Sequence, residues 1–218
     1  MKKIGLIVSV LLFSVFASAV GSSGKGEGKA PKTPMEFAEG IKLRLNNLGV
    51  SSQIDSASLE RLAKAQGDKQ TFSTIKRFYE ALDTAAVRKN LEDANLKRVY
   101  EEMLENVAGS IRMAADITAQ LENNSLRRIE GGKEVSGLGP NGKILLDAMK
   151  AALGMAREAL EGGATVKTDT AMLNIARTLG KVTPEILKNE DLAAIEIAKI
   201  EAELNGYKIG QFILDCNK

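Results

Sequence analysis

Histidine and tryptophan are absent from this chain of 218 residues, and it holds a single cysteine. Each absence removes a class of chemistry. Without histidine there is no Ser–His–Asp or Cys–His nucleophile. The commonest ligands of catalytic zinc are reduced to carboxylate and thiolate, and haem attachment through Cys-x-x-Cys-His is excluded. Cys216 alone forms neither an intrachain disulfide nor a Cys-x-x-Cys redox pair. With no tryptophan and few other aromatic residues, the flat platforms common in sugar-binding sites are scarce. Proline occurs four times, and none falls between Pro34 and Pro140. Alternation of apolar and polar residues, the mark of a half-buried strand, is nearly missing.

The apolar residues that are present begin at the N-terminus. Lys2 and Lys3 precede an apolar run from Ile4 to Phe16, and Ala17-Ser18-Ala19 follows. Ala17 and Ala19 occupy the two positions that a signal peptidase reads, so residues 1–19 are expected to be a secretory signal peptide cleaved before Val20. The run is short for a membrane span of about 20 residues. No second stretch is long and apolar enough to cross a membrane, and no cysteine stands at the cleavage site to take a lipid. The mature chain is expected outside the cytoplasm, in the periplasm or beyond, and not spanning the membrane.

Cleavage also changes the charge. Without Lys2 and Lys3 the 30 basic residues fall to equal the 28 acidic ones. The mildly basic pI of about 8.5 therefore comes from the leader and argues for no nucleic-acid partner, which calls for a net-positive surface. The mature length suits one domain with a real core.

Residues 20–33 are rich in Gly, Ser and Lys and read as a flexible tether. A single helical domain is expected over 34–218. Thr33-Pro34-x-Glu36 is a capping box with Pro at the first helical position. Phe37, Ile41, Leu45 and Leu48 then line one face, and Gly49 fits the stop. Shorter helices are read from Ser56 to Gln66 and from Lys69, the latter carrying Phe72, Ile75, Phe78, Tyr79 and Leu82. The organising element is a long helix over about 93–128. Leu96, Tyr100, Met103, Val107, Ile111, Ala114, Ile117 and Leu121 recur along it every three or four residues. At 1.5 Å per residue it would run roughly 50 Å, and its stripe needs other helices to cover it.

Five Gly and a Pro within 131–142 read as a loop. A central helix follows over about 143–161, apolar on much of its circumference from Ile144 to Leu160. Further helices are expected over Asp169–Leu179, at Thr183-Pro184-Glu185, and from Glu190 to Leu204 with Asn189 as cap and Gly206 as stop. The fold expected is all-α, an antiparallel bundle built around the long and the central helix.

Four features carry candidate chemistry. Gly137, Gly139, Gly142 and Lys143 fit Gly-x-x-x-x-Gly-Lys, whose backbone N–H groups cradle phosphate. Ile144 stands where a hydroxyl must hold magnesium, and a helix precedes the loop where a strand is required. The stretch is therefore read as an interhelical turn or as a functional loop at one end of the bundle.

Glu101, Glu102 and Glu105 cluster on the long helix. They suit a carboxylate-dependent glycan hydrolase, or a solvated face paired with Lys97 and Arg98 one turn back. Met103, Met113, Met149, Met155 and Met172 suit an adaptable apolar pocket or plain core filling. The acidic last helix suits a docking face, or a solvent face balanced by Arg127, Arg128 and Lys133. Cys216 reads as a redox or intermolecular thiol, or as a thiol buried with Phe212 and Ile213.

No metal or other cofactor is expected. The functional expectation is a non-enzymatic module that binds a protein or cell-envelope component. The alternatives are a carrier or sensor of a small apolar ligand and, behind it, the glycan hydrolase. Oligomeric state and partner identity are not written in the sequence.

Overall fold

A computed structural model describes residues 30–65, 68–161 and 166–216, without the side chains of 166–168 and 210–215. The leader, with Ala17, Ala19 and Val20, lies outside the described residues. So do most of the Gly-Ser-Lys stretch and the side chains of Phe212 and Ile213. In chain order the elements are α1 (Pro34–Asn47), α2 (Ser56–Lys64), α3 (Lys69–Ala81), α4 (Ala85–Glu92) and α5 (Ala94–Glu122). A hairpin of β1 (Arg127–Glu130) and β2 (Lys133–Ser136) comes next. Then come α6 (Pro140–Glu161), α7 (Val166–Gly180), α8 (Pro184–Lys188) and α9 (Glu190–Cys216). The chain is mostly helical.

Short polar side chains start the helices. Thr33 Oγ1 accepts the Glu36 N–H at 3.2 Å while the Glu36 carboxylate accepts the Thr33 N–H at 3.1 Å. This is the reciprocal box legible in the sequence, and the arrangement lowers the pKa of Glu36 through backbone N–H bonds. Asp55, Asp68, Thr84, Asp93 and Thr183 cap α2, α3, α4, α5 and α8 one way only, each side chain accepting a first-turn N–H. Asn189 Oδ1 accepts the N–H groups of Asp191 and Leu192 at the start of α9. Each such cap contributes about 1 kcal/mol.

Packing follows the apolar stripes. α5 buries Tyr100, Met103, Leu104, Val107, Ile111 and Ile117 and packs against α7, α6 and α2. α6 buries residues on several sides, among them Leu145, Met149, Leu153 and Ala156, and touches α3, α5 and α9. Phe37 meets Phe72 and Tyr79 edge-on at 5.8 and 5.0 Å, and the Arg44 guanidinium lies 4.1 Å over the Tyr79 ring. One cluster of buried side chains runs from Phe37 in α1 to Leu204 in α9.

Several boundaries differ from those expected. The long helix ends at Glu122, not near Arg128. Asn124 adopts a left-handed backbone with φ 56°. Its N–H bonds to Leu121 O at 3.1 Å and that of Ser125 to Gln120 O at 2.9 Å, the paired closure that stops a helix when Asn takes the role of Gly. The stretch expected as a loop over 131–142 contains β2 and the first turn of α6. Arg127–Glu130 pairs antiparallel with Lys133–Ser136. Gly131 and Gly132, at φ 57° and 78°, supply the two left-handed residues of a tight hairpin turn. Too short and exposed to show alternation, the strands leave no periodic signal.

The central helix starts at Pro140 instead of about 143, with Pro in its first position. The last helix does not stop at Gly206; it continues to Cys216. Gly206 is not among the positive-φ glycines of the described chain, so it makes no left-handed stop. It costs the helix only about 1 kcal/mol relative to Ala, while Leu204 and Tyr207 pack on the core at either side.

Candidate functional site

The Gly137–Lys143 stretch is already filled from within. α8 and the start of α9 lie against the first turn of α6. Glu190, 49 residues on, places its carboxylate there: Asn141 N–H donates to Oε2 at 3.0 Å and Gly142 N–H to Oε1 at 3.4 Å. The Asn141 side-chain amide donates in return to Glu190 O at 3.1 Å. A helix N-terminus attracts anions through free N–H groups and its dipole, and here the anion is a carboxylate of the same chain.

The glycines follow from this packing. A Cβ on Gly139 would collide with the Glu190 carboxylate, and one on Gly142 with the Leu187 carbonyl oxygen. Lys143 is exposed. The loop therefore joins elements in place of cradling a phosphate.

Two of the clustered glutamates of α5, Glu101 and Glu102, also have structural partners. Glu102 takes both Arg177 Nε at 2.7 Å and Nη2 at 3.0 Å from α7, and this bond with Arg177 is the main reason its pKa is lowered. Glu101 accepts the Ser51 N–H at 3.2 Å from the turn before α2. Thus the hydrogen bonds run between elements, to Arg177 and Ser51, while Arg98, one turn back, adds only a weaker charge attraction on Glu102. Arg127 and Arg128 serve the hairpin: Arg128 donates to Ser136 O and Gly137 O and pairs with Glu130 at 2.6 Å.

The methionines Met103, Met149, Met155 and Met172 are buried in the core cluster. Cys216 is exposed in the final turn of α9, which overturns the expected burial of that thiol. The helix carries on outward here, with Ile209 62% exposed, instead of folding back.

A cleft of about 490 Å³ opens between α3, α5 and α6, beside the end of α2, and the sequence patterns do not announce it. Its lining mixes apolar and polar side chains, with Ala65, Leu121 and Ala151 among the apolar ones. Thr71, Thr74 and Thr118 bring hydroxyls; Asp68, Glu122 and Asp147 bring carboxylates; Lys150 brings one ammonium. Asp68 caps α3 with Oδ1, which accepts the Thr71 N–H at 2.9 Å. Its Oδ2 stands 3.7 Å from Lys150 Nζ and, buried, has no hydrogen-bond donor. Thr118 is 7% exposed and its Oγ1 likewise has no partner. Burying a hydroxyl unpaired costs about 1–3 kcal/mol, so Thr118 is held here at a cost to stability.

Asp147 keeps surface exposure, yet crowding by the cleft wall raises its pKa; Lys150 opposes the rise and Asp68 adds to it. One signal of this site is present in the sequence. Asp147 and Lys150 are the two charged residues of Ile144–Ala156, three apart on an otherwise apolar helix.

A second polar group lies inside the core. The Tyr100 hydroxyl on α5 donates to Asp169 Oδ1 on α7 at 3.4 Å. Asp169 is 2% exposed, and its Oδ2 has no hydrogen-bond partner. Burial pushes the Asp169 pKa up to about 6, with the Tyr100 bond opposing. Glu158 on α6 is pushed to about 7, again by burial first, with Arg157 opposing. Both carboxylates in turn help to raise Tyr207 on α9, where burial is the larger cause. The Tyr100–Asp169 bond joins α5 to α7.

Compared with known protein families, with curated proteins and with solved structures, the chain matches none.

Proposed function

We propose that this chain is an exported, non-enzymatic helical protein that binds a polar component of the cell envelope, a protein or a glycan-linked peptide, in the cleft between α3, α5 and α6. The observation that carries this reading is the cleft itself. It is about 490 Å³, within the range of ligand sites, and Asp68, Thr71, Thr118, Asp147 and Lys150 are among the polar residues that line it. Export rests on the Lys2–Ala19 leader pattern. Binding in place of catalysis rests on the lack of histidine and on the engagement of Glu101 and Glu102 by Ser51 and Arg177. The helices are proposed to form an antiparallel bundle that holds the cleft walls rigid. A polar ligand is favoured over an apolar one because the methionines that could have lined a greasy pocket fill the core.

The test is binding to isolated envelope fractions, murein sacculi and membrane vesicles separately, by wild type and by Ala151→Trp. Ala151 lines the cleft, and an indole there would fill it. The reading expects saturable binding to one fraction, reduced at least tenfold by the substitution. Equal binding by both proteins would exclude the cleft as the site.

A further inference from the structure

The outward face of α9 is apolar. Leu192 is 42% exposed, Ile195 51% and Ile209 62%, three of the six large apolar side chains exposed among the described residues. Between Ile195 and Ile209 the same face holds Ala198, Ala202 and Gly206, all exposed and spaced three or four residues apart. Gly206 has no internal reason to be glycine. Its φ is not positive, and no neighbouring atom lies within 4 Å of the place a Cβ would take. Glycine inside a helix is less favourable than alanine, and its gain is that another backbone can approach closely.

The charges beside this stripe are self-complementary in one orientation. Glu196, Lys199 and Glu203 lie along one flank, three and four residues apart. Consider a second copy related by a two-fold axis through Ala202, with the helices antiparallel. Like flanks then face each other, and Lys199 of each copy comes within about one turn of Glu203 of the second copy. Within one copy Lys199 pairs with Glu196 at 2.6 Å, and Glu203 Oε1 accepts the Asn174 amide at 3.2 Å. Both groups keep further donor or acceptor capacity. The same axis lays Ile195 beside Ile209 of the second copy and Ala198 beside Gly206 of the second copy. Small residues sit at the crossing and branched ones at both ends. A parallel pair would instead set Lys199 against Lys199 and Asp191 against Asp191, which repels.

We propose that the chain forms a homodimer in which two α9 helices pack antiparallel through this face, crossing at Ala202.

The interface is small. From Leu192 to Ile209 the stripe is roughly 26 Å long, so on its own it covers less than the ~800 Å² per partner of a stable complex. The dimer is therefore weak and reversible.

Analytical ultracentrifugation of the purified full chain, with reductant present, measures it. A reversible monomer–dimer equilibrium is expected, with a dissociation constant on the order of 10 µM. Ala202→Arg and Gly206→Arg should each weaken it at least tenfold. Both positions are exposed, and thermal melts by circular dichroism check that each variant folds. Lys199→Glu should weaken the dimer several-fold, and adding Glu203→Lys to it should restore the affinity. Spin labels on Cys216, 14 residues beyond Ala202, read the orientation. Antiparallel helices hold the two labels roughly 40 Å apart, and a disulfide at Cys216 then joins one dimer to the next.

A chain that stays monomeric at about 1 mM would overturn the inference. So would a dimer that ignores both Arg substitutions, or labels side by side, which would mean parallel helices. Binding of phospholipid vesicles by a monomeric chain, lost in Ile195→Lys, would assign the face to a membrane surface and overturn the dimer.

Discussion

Glu190 and Asn141 hold each other across 49 residues of chain. The Asn141 backbone N–H donates to the Glu190 carboxylate at 3.0 Å, and the Asn141 side chain donates to the Glu190 carbonyl at 3.1 Å. A capping box normally closes within four residues; here the two halves come from the first turns of α6 and α9.

Removing the carboxylate leaves N–H groups of α6 unpaired. Glu190→Ala is expected to destabilise the protein by about 1–2 kcal/mol, in the range of a lost cap with its dipole contribution. Gly139→Ala should cost at least as much, because its methyl would push the carboxylate out. Urea denaturation measures both. In the double variant the effects should be far from additive, since they break one contact; additive losses would show that the two residues act separately.

The buried carboxylates make stability depend on pH. Asp169 titrates from 3.8 when unfolded to about 6 when folded. Between those values the folded state holds more protons, so stability falls as pH rises through the window and levels off above it. Glu158 extends the fall towards about 7 from its ordinary 4.5. Asp169→Asn should remove much of the decline between pH 4 and 6 and raise stability at pH 7 by on the order of 2 kcal/mol. Chemical denaturation at pH 4, 5, 6 and 7 reads this. A variant whose profile parallels that of wild type would show that Asp169 is not the source.

Val107 and Leu153 are each 1% exposed, on α5 and α6. A carboxylate buried at either position costs several kcal/mol, comparable with a typical domain's whole margin of stability. Val107→Asp and Leu153→Asp are each expected to abolish the cooperative far-ultraviolet melt, whereas Val107→Ala should lower stability by about 1–3 kcal/mol and still fold.

Cys216 is exposed at the end of α9. In the native protein a thiol reagent should label it as fast as in the denatured protein. Under oxidising conditions a dimer should appear on non-reducing gels and vanish with reductant. Labelling that is slow until urea is added would place the thiol under cover.

Local chemistry makes much of this fold legible. A cap acts within four residues and a helix stripe repeats every three or four. Thr33 and Thr183 therefore mark helix starts in the sequence itself, the start of the long helix is narrowed to Asn90 or Asp93, and Tyr100 to Ile117 mark a buried face. The same locality explains the misses. Asn124 in a left-handed turn ends α5 early, although Asn is also tolerated inside helices. Gly206 looks like a stop but is carried through, because Leu204 and Tyr207 gain more from packing than one glycine costs.

The site needs tertiary structure altogether. Asp68, Thr118 and Asp147 lie on three separate elements, and nothing in their spacing says that they line one cleft. Glu190 is one of several acids in an acidic helix until folding lays it on Asn141. Sequence by itself determined which segments become helices and which faces they bury, because propensity, capping and periodicity are short-range. Only the tertiary structure decided which polar groups meet. Those encounters join residues far apart in the chain, and they depend on how buried faces pack, which leaves no periodic trace.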